Sequence, residues 1–237
     1  MLGLQLPGNL KPGDKIVPRY PLPASYGIGM TNIECADYGQ DSTSRILPIQ
    51  HPLDPKRTAL RFIVKSGDPQ PHYGASGERT EIWPEPHEIE DGSLVTFCMS
   101  FIFEQSKYQS PNGWGFVFQA HAGIDDPDPG QGGGVQALHI LDGKLGFAER
   151  YYPAKTTPIL FGREHFVQLS VLYKRDGSGW AKWWHSVDTP PDDTKSPIVS
   201  YAGQTDFGQH MYPKIGIYRG ASPFTNEVVV GSYGVRN

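Results

Sequence analysis

The sequence is built from short segments that alternate apolar and polar residues, a pattern that leaves little room for anything but β structure. Turn residues separate the segments, with 28 glycines and 22 prolines in 237 residues. No stretch keeps helical periodicity over about 11 residues. The strongest local signal is VQALHIL-DG-KLGFAE, where Asp142-Gly143 divides two alternating runs in the manner of a β-hairpin. These features predict an all-β protein.

The spacing of the turn signals predicts ten strands and an antiparallel sandwich of jelly-roll type. The predicted strands are Thr58–Lys65, Gly77–Ile82, Leu94–Phe103, Trp114–His121, Val135–Leu141, Lys144–Glu149, Phe166–Tyr173, Trp180–Ser186, Tyr212–Arg219 and Glu227–Tyr233. Residues 1–30 are rich in proline and glycine and indicate an extended arm. Residues 31–237 contain no repeat or linker, so we expect one jelly-roll domain with a substrate cleft on its concave sheet.

Composition excludes several classes of partner. The net charge is -4 and only 19% of residues are charged, so no polycationic surface for nucleic acid is expected. No window approaches the ~18 apolar residues of a membrane span. The N-terminal sequence lacks the basic and apolar regions of a signal peptide, and we expect a monomer that is secreted or part of a phage particle. Cys35 and Cys98 do not define a compartment, and the apolar run around Cys98 indicates a buried thiol.

The segment from Ala122 to Gly134 contains three aspartates, two prolines and many glycines. Carboxylate oxygens are calcium ligands, but the spacing is not that of an EF-hand loop. We interpret the segment as a flap at the mouth of a cleft, with a structural Ca²⁺ site as the alternative. No metal ligands are assigned and no cofactor is expected to be required.

Three of the predicted strands place polar residues on one face, because successive side chains of a strand point to opposite sides. We expect Trp114, Phe116, Phe118 and Ala120 to occupy the core face of their strand. Gly216 weakens a strand interior unless something approaches the backbone closely, and a sugar ring is one such group. The residues predicted to share the polar face are Arg79, Glu81, Gln119, His121, Tyr212, Lys214 and Tyr218.

This set of side chains matches the removal of a proton beside a carboxylate. An arginine offers a bidentate fork to the carboxylate, and a glutamine adds a neutral donor. His121 titrates near neutrality and is a candidate base. Tyr218 is a candidate acid, or a base if positive charge such as that of Lys214 stabilises its phenolate. The chemistry indicated is that of a polysaccharide lyase acting on a uronic acid polymer.

Each motif also has a simpler interpretation. Arg79 and Glu81 are two residues apart, which is the spacing of an ordinary ion pair on one strand. A Gln-x-His pair such as Gln119 and His121 is commonly a half-buried hydrogen-bonded pair. His139 shares a face with Val135 and Ala137, and we interpret it as structural. The three motifs together are far less expected by chance than any one of them.

The motifs resemble those of the jelly-roll polysaccharide lyases, the group that contains family-seven alginate lyases, heparin lyase I and fungal glucuronan lyases. The chain reads RTEI, QAH and YPKIGIY in the family's order, over roughly residues 55–235. The resemblance implies that Arg79 and Gln119 neutralise the carboxylate, that His121 is a base candidate, and that Tyr218 is the acid or a shared acid and base.

Departures from the alginate pattern favour a glucuronate polymer, with alginate as the next candidate. Trp83 stands where the alginate enzymes have a second arginine, Pro213 replaces an aromatic residue, and Arg219-Gly220 replaces the usual amide-containing ending. In glucuronan lyases the functional histidine precedes the glutamine, so His72 or His87 is an alternative to His121. The residues expected to bind substrate are Lys214, Tyr212, Arg219, Glu81, Arg150, Tyr151, Trp83 and His72.

Two other functions compete with a lyase that cuts by β-elimination and leaves a 4,5-unsaturated uronate end. A carbohydrate-binding module or lectin can share the same sandwich, although a pure binder has no need of a tyrosine and a histidine beside one carboxylate. A glycoside hydrolase requires paired carboxylates about 5–10 Å apart. Glu78, Glu81 and Glu85 do not alternate in the way such a pair requires.

Overall fold

The computed structural model describes residues 32–34, 44–68, 77–84, 89–109, 114–122, 134–149, 152–207 and 211–236. Within these residues, fourteen strands form two antiparallel sheets of seven strands, together with a short 3-10 helix at Gln105–Lys107 and no α-helix. The predicted all-β jelly-roll sandwich is confirmed. The predicted arm at residues 1–30 lies outside the described residues.

The two sheets, here called sheet A and sheet B, each run in an order that interleaves distant parts of the chain. Sheet A contains, in spatial order, β1 (Asn32–Glu34), β4 (Glu78–Trp83), β13 (Met211–Arg219), β6 (Gly115–Ala122), β7 (Gly134–Leu141), β8 (Lys144–Glu149) and β9 (Tyr152–Pro158). Sheet B contains β12 (Val199–Ala202), β11 (Trp180–Val187), β10 (Glu164–Leu172), β5 (Leu94–Ile102), β14 (Asn226–Arg236), β3 (Asp54–Val64) and β2 (Ile46–His51).

All ten predicted strands are present, and the strands that were not predicted are β1, β2, β9 and β12. The turn between β7 and β8 has positive φ at both central residues, 48° at Asp142 and 70° at Gly143. That is the geometry of the type I′ hairpin turn, which matches the twist of the flanking strands and favours Asp-Gly. The sequence signal at this turn is therefore confirmed.

The core lies between the two sheets and is formed by aromatic and branched side chains from both. Phe118 of β6 lies 5.2 Å from Phe97 of β5 and 6.5 Å from Trp183 of β11, measured between ring centroids. All three side chains are fully buried. Because alternate residues face this core, the remaining residues of sheet A lie on its outer face, where the predicted polar motifs are found.

The sequence predicted a buried Cys98, but this residue lies on the outer face of β5 and is partly exposed. Burial raises the pKa of its thiol, and the neighbouring Arg236 acts in the opposite direction. The other cysteine, Cys35, lies outside the described residues. In the part of the chain that the structure describes, no helix is long and apolar enough to cross a membrane. The same residues hold no group of three or more potential metal ligands, and residues 123–133 lie outside them.

Candidate active site

Sheet topology brings the three polar motifs together on neighbouring strands. β13 pairs with β4 on one side and with β6 on the other, so the central strand carries two sets of partners. The register places Tyr218 opposite Arg79, Lys214 opposite Gln119, and Tyr212 opposite His121. All of these positions lie on the outer face of sheet A, as the alternation predicted.

Glu81 is a buried carboxylate that contacts residues from two of the motifs. Its carboxylate accepts a hydrogen bond of 2.7 Å from Gln119 Nε2, and Arg79 Nε lies 3.5 Å from its other oxygen. Glu81 is completely buried and Gln119 is 2% exposed. Glu81 was predicted to contact substrate, but a side chain without exposed surface cannot do so. It instead holds the arginine and the amide in fixed orientations.

The hydrogen bond between Gln119 and Glu81 crosses over the central strand at Gly216. Glu81 pairs with Gly216, whereas Gln119 lies on the far side of β13. Neighbouring strands are about 4.8 Å apart, so the two backbones are separated by roughly 10 Å. Because residue 216 is a glycine, no side chain of its own lies between the two groups.

Gly216 is required by the fold rather than by a bound sugar. Its φ is +148°, and a Cβ built there would lie 2.2 Å from the Thr80 carbonyl oxygen and 3.0 Å from the Phe62 side chain. The group that approaches this backbone is therefore the neighbouring strand β4, with the opposite sheet beneath. The interpretation that a sugar ring requires the glycine is wrong.

Tyr218 is held between a cation and two aromatic rings. The Arg79 guanidinium carbon lies 3.8 Å from the centroid of the Tyr218 ring, within the range of a cation–π contact. Trp114 packs edge-on against the same ring at 4.6 Å, and Phe116 lies at 6.0 Å. Tyr218 remains partly exposed, so its orientation is fixed while part of its surface faces solvent.

The sequence predicted that Trp114 and Phe116 face the core, but both lie on the outer face of sheet A. A β-bulge shifts the register between β6 and β13 after Ile215, so that Phe116 pairs with Tyr218. The pairing with β7 shifts at the same place and sets Phe116 opposite His139. A bulge inserts one extra residue and reverses the alternation beyond it. Phe118 and Ala120, which follow the bulge in the chain, do face the core.

His121 and Tyr212 form a second polar pair on the same face. The Tyr212 hydroxyl lies 3.2 Å from His121 Nδ1, and the two rings are stacked at 5.4 Å. Lys214 Nζ lies 5.5 Å from the Tyr212 ring. Six residues separate Tyr212 from Tyr218, or roughly 18–20 Å along the strand. The His121–Tyr212 pair therefore lies at the opposite end of the polar row from Tyr218 and Arg79.

Arg219 does not reach the outer face. It is fully buried, and its guanidinium donates to Glu78 Oε2 at 2.6 and 3.0 Å. Glu78 also accepts a hydrogen bond from the backbone N–H of Gly67. The predicted contact between Arg219 and substrate is thus contradicted. Arg219 directly follows Tyr218 in a strand, and so it points to the opposite side of the sheet.

His139 lies on the same face as Gln119, next to the aromatic residues. Its ring is 4.4 Å from Phe116, and only 5% of its surface is exposed. Burial lowers the pKa of His139 to about 4, which keeps the imidazole neutral above that pH. Among the described residues, none forms a hydrogen bond with its Nε2.

Several predicted site residues cannot be placed. His72, His87, Arg150 and Tyr151 lie outside the described residues. The backbone of Trp83 belongs to β4, where it pairs with Asn32, but its side chain is not described.

The described outer face of β4, β13 and β6 has a small excess of positive charge. Arg79 and Lys214 are the cations, and Glu81 is the carboxylate on the outer face of these described strands. Arg79, Gln119 and Lys214 are all at most 9% exposed, and donors in such a water-poor setting interact strongly with an anion. The arrangement can bind a carboxylate and set a phenol beside it.

Comparison with known proteins identifies the family. Residues 51–233 match the family model described as polysaccharide lyase, which covers most of the chain. The chain belongs to the polysaccharide lyase family. The predicted relationship to jelly-roll polysaccharide lyases and the predicted enzyme class are thereby confirmed. No curated protein sequence matched this lyase.

Solved structures similar to the lyase include other enzymes that act on polysaccharides. An endo-β-1,4-glucuronan lyase from the fungus Trichoderma reesei has a TM-score of 0.54 at 13% identity, covering 86% of each chain. A GH131 β-glucanase catalytic domain from Podospora anserina has a TM-score of 0.58 at 11% identity, covering 84% of this chain and 81% of that one. A PL-14 alginate lyase from Aplysia kurodai has a TM-score of 0.52 at 11% identity, with 82% and 88% covered. Such low identities show a common fold, not a common substrate.

Proposed function

We propose that the enzyme cleaves a uronic-acid polysaccharide by β-elimination, with a glucuronan-like polymer as the first candidate and alginate as the second. The observation that carries this proposal is the buried Glu81, which fixes Arg79 and Gln119 beside a partly exposed Tyr218. The arrangement offers donors for a carboxylate and a phenol for proton transfer within one small area. The glucuronan lyase from Trichoderma reesei, which has a similar fold, is consistent with this substrate class.

The first requirement of β-elimination is to stabilise the charge that grows on the substrate carboxylate as the neighbouring proton leaves. In the proposed reaction Arg79 and the Gln119 amide bind that carboxylate over Gly216. An amide nitrogen carries two N–H groups. One N–H of Gln119 is used by Glu81, and the other is a donor for substrate. Donors oriented in advance stabilise a developing anion without reorganising during the reaction.

The second requirement is a base and an acid, and in the proposal Tyr218 serves as both. The base takes the proton from C5, the C–H electrons form the C4=C5 double bond, and the C4–O glycosidic bond breaks. The same proton, or one from the re-protonated phenol, is delivered to the departing oxygen. The positive charge of Arg79 lies 3.8 Å from the Tyr218 ring, and it stabilises negative charge on the phenolic oxygen during the transfer.

The sequence made His121 a candidate base, but in the proposal it binds substrate instead. It is bonded to Tyr212 at the opposite end of the polar row from Tyr218. In the proposal, His121, Tyr212 and Lys214 bind the sugar next to the one that loses its proton. Replacing His121 by alanine should then raise KM more than it lowers kcat. A loss confined to kcat would return the role of base to His121.

The similar fold of the GH131 β-glucanase makes hydrolysis the alternative to be tested. Hydrolysis by two carboxylates requires them to lie about 5–10 Å apart. On the described outer face of β4, β13 and β6, the carboxylate is Glu81, which is completely buried and engaged by Gln119. This arrangement favours elimination.

The proposal is tested by incubating the protein with glucuronan, alginate, heparin and hyaluronan while following the ultraviolet absorbance of a new C=C bond. We expect the largest rate with glucuronan, and a rate near background for the Tyr218→Phe variant. Lys155→Ala, an exposed change on β9, serves as the control and should leave the rate unchanged. Absence of the new absorbance with all four polymers would contradict the proposal.

A further inference from the structure

The bulge that reverses β6 creates a continuous group of aromatic side chains beside Tyr218. Trp114 lies 5.5 Å from Phe116 and 4.6 Å from Tyr218, measured between ring centroids. The rings of Trp114, Phe116 and Tyr218 are all partly exposed. Here these three residues are called the aromatic platform.

The platform is not explained by packing alone. Neither Trp114 nor Phe116 belongs to the core between the sheets, which Phe118 and Ala120 of the same strand complete. Contiguous aromatic surface exposed to water is unfavourable and usually marks a binding site. Beside the platform, on the neighbouring strand β7, His139 lies 4.4 Å from Phe116. Burial lowers the pKa of His139 to about 4, so this neighbour is uncharged near neutral pH.

The position of the platform defines what can bind to it. Along the sheet, Gln119 lies first, then the Glu81–Gly216 pair, then Tyr218 with Arg79 and Phe116. Trp114 follows at the end of β6. A polymer whose carboxylate lies between Gln119 and Arg79 would therefore place a neighbouring sugar over Phe116 and Trp114. This reasoning rests on the proposed function for the position of the carboxylate.

Aromatic rings bind the faces of sugars that carry C–H groups, because hydroxyls pointing at the ring would lose their hydrogen bonds to water. A β-linked glucuronate has all its ring substituents equatorial and presents axial C–H groups on both faces. Mannuronate and guluronate, the sugars of alginate, each carry axial hydroxyls. The platform thus discriminates by the orientation of hydroxyl groups and not by charge.

We propose that Trp114 and Phe116 form a sugar-binding subsite that selects uronate polymers with equatorial hydroxyls over those with axial hydroxyls. Selection of this kind acts on the sugar adjacent to the reacting one. It is separate from the recognition of the carboxylate by Arg79 and Gln119.

The test compares Trp114→Ala, Trp114→Phe and Trp180→Ala. Trp180 is another partly exposed tryptophan with a cation over its ring, Lys182 Nζ at 4.7 Å, but it lies on sheet B. We measure kcat/KM on glucuronan and on mannuronan, with circular dichroism to confirm folding. Trp114→Ala should lower the glucuronan-to-mannuronan ratio about tenfold, the scale of one lost ring contact. Trp114→Phe should restore most of the ratio, and Trp180→Ala should not change it.

The ratio separates selection from damage, because a misplaced Tyr218 lowers the rates on both polymers equally. An unchanged ratio in folded Trp114→Ala, with both rates measurable, overturns the inference while leaving the lyase function intact. Failure of the function itself has a different signature, namely no unsaturated product from wild type. In that case calorimetry with glucuronate and mannuronate oligosaccharides tests the platform directly. A Trp114-dependent preference for glucuronate supports it, and equal affinities in wild type and variant overturn it.

Discussion

The outer faces of the two sheets each contain a buried glutamate held by polar partners, yet the two clusters are built differently. On sheet B, Glu164 Oε1 accepts a hydrogen bond of 2.7 Å from Ser100 and lies 3.2 Å from both His51 Nε2 and an Arg57 Nη. On sheet A, Glu81 holds Gln119 and Arg79, and Arg79 continues to the partly exposed ring of Tyr218. The Glu164 cluster reaches the surface through the Arg57 guanidinium, whose side chain is 36% exposed, whereas the Glu81 cluster reaches it through the phenol of Tyr218.

The Glu164 cluster is typical of a structural network. Even the backbone is adapted to it, since a Cβ at Gly231 would lie within 2.6–2.9 Å of Glu164, His51 and Ser100. Burial opposes ionisation of Glu164, but Ser100 and Arg57 hold the pKa of that carboxyl below its usual value. A buried, paired carboxylate is therefore not by itself evidence of an active site. What distinguishes sheet A is that its donors lie beside a partly exposed phenol, whereas no tyrosine belongs to the Glu164 cluster as described.

A cavity does not distinguish the two faces either. The outer face of sheet B carries a cleft of about 740 Å³, lined in part by Gln168, Asp193 and Arg236. These three residues are bonded to one another, with Arg236 donating to both Gln168 and Asp193. Its polar lining is thus engaged by neighbouring side chains, as the Gln119 amide is by Glu81 on sheet A.

The largest expected effect is that of Tyr218→Phe. In the proposed mechanism, removing the hydroxyl takes away both proton transfers, so kcat should fall by about 10²–10⁴-fold. Stability should change little, because the ring contacts with Arg79 and Trp114 remain. Steady-state kinetics and thermal denaturation of the same preparation check both statements. Full activity in the variant would remove Tyr218 from the chemistry.

Arg79→Ala and Gln119→Ala should have the next largest effect, lowering kcat by about 10²–10³-fold with a smaller rise in KM. Both donors act on charge that grows only as the reaction proceeds. Arg61→Ala is a matched control, because Arg61 is also paired with glutamates but lies on sheet B. An unchanged kcat in both site variants would show that neither residue stabilises the reacting carboxylate.

Glu164→Ala should give the opposite result, a loss of stability with little loss of activity. Loss of this carboxylate leaves Arg57, Ser100 and His51 without their common partner, which should cost about 3 kcal/mol of unfolding free energy. Activity per folded molecule should stay within about twofold of wild type, since sheet A is untouched. Urea denaturation measures the first quantity, with the exposed Asp192→Ala as a control. A large loss of kcat in folded Glu164→Ala would mean that the two faces are coupled.

The smallest expected effect is the pH dependence of stability that arises from two histidines, His165 and His185, on the core side of sheet B. His165 Nδ1 lies 3.0 Å from His185 Nε2, and the Leu160 N–H donates to His165 Nε2. Burial lowers the pKa of His185 to about 4. Between that value and the ordinary 6.5, the unfolded chain binds more protons than the folded one. Stability is therefore complete above pH 6.5 and decreases as pH falls towards 4, by about 2 kcal/mol for this residue.

Urea titrations across that pH range check this prediction in wild type and His185→Phe. The variant starts from lower stability, because His165 loses its hydrogen-bond partner, but its dependence on pH should be shallower. If the unfolding free energies of the two proteins depended on pH to the same extent, the His165–His185 pair would not take up protons on unfolding.

How far the sequence predicts the fold depends on where a strand lies in its sheet. The ten predicted strands include every interior strand, whereas β1, β2, β9 and β12 are the four edges. An edge strand pairs on one side only and tolerates proline, as at Pro48 in β2 and Pro153 in β9. Its sequence is therefore less constrained, and its signal is weaker.

The site was predictable wherever simple alternation holds. Alternation places Arg79, Glu81, Gln119, Tyr212 and Tyr218 correctly on one face, and it should also have excluded Arg219, which directly follows Tyr218. The bulge in β6 was not predictable, because an extra residue in one strand leaves no mark in the local pattern. For that reason the outer positions of Trp114 and Phe116 appear only in the structure.

Mass spectrometry of the products from glucuronan is the most direct test of the central claim, that Arg79, Gln119 and Tyr218 carry out elimination on a uronate. Elimination adds no water, so each new non-reducing end should be an unsaturated uronate, lighter by one water than a hydrolysis product. New non-reducing ends that are saturated, and therefore heavier by one water, would show hydrolysis and contradict the account.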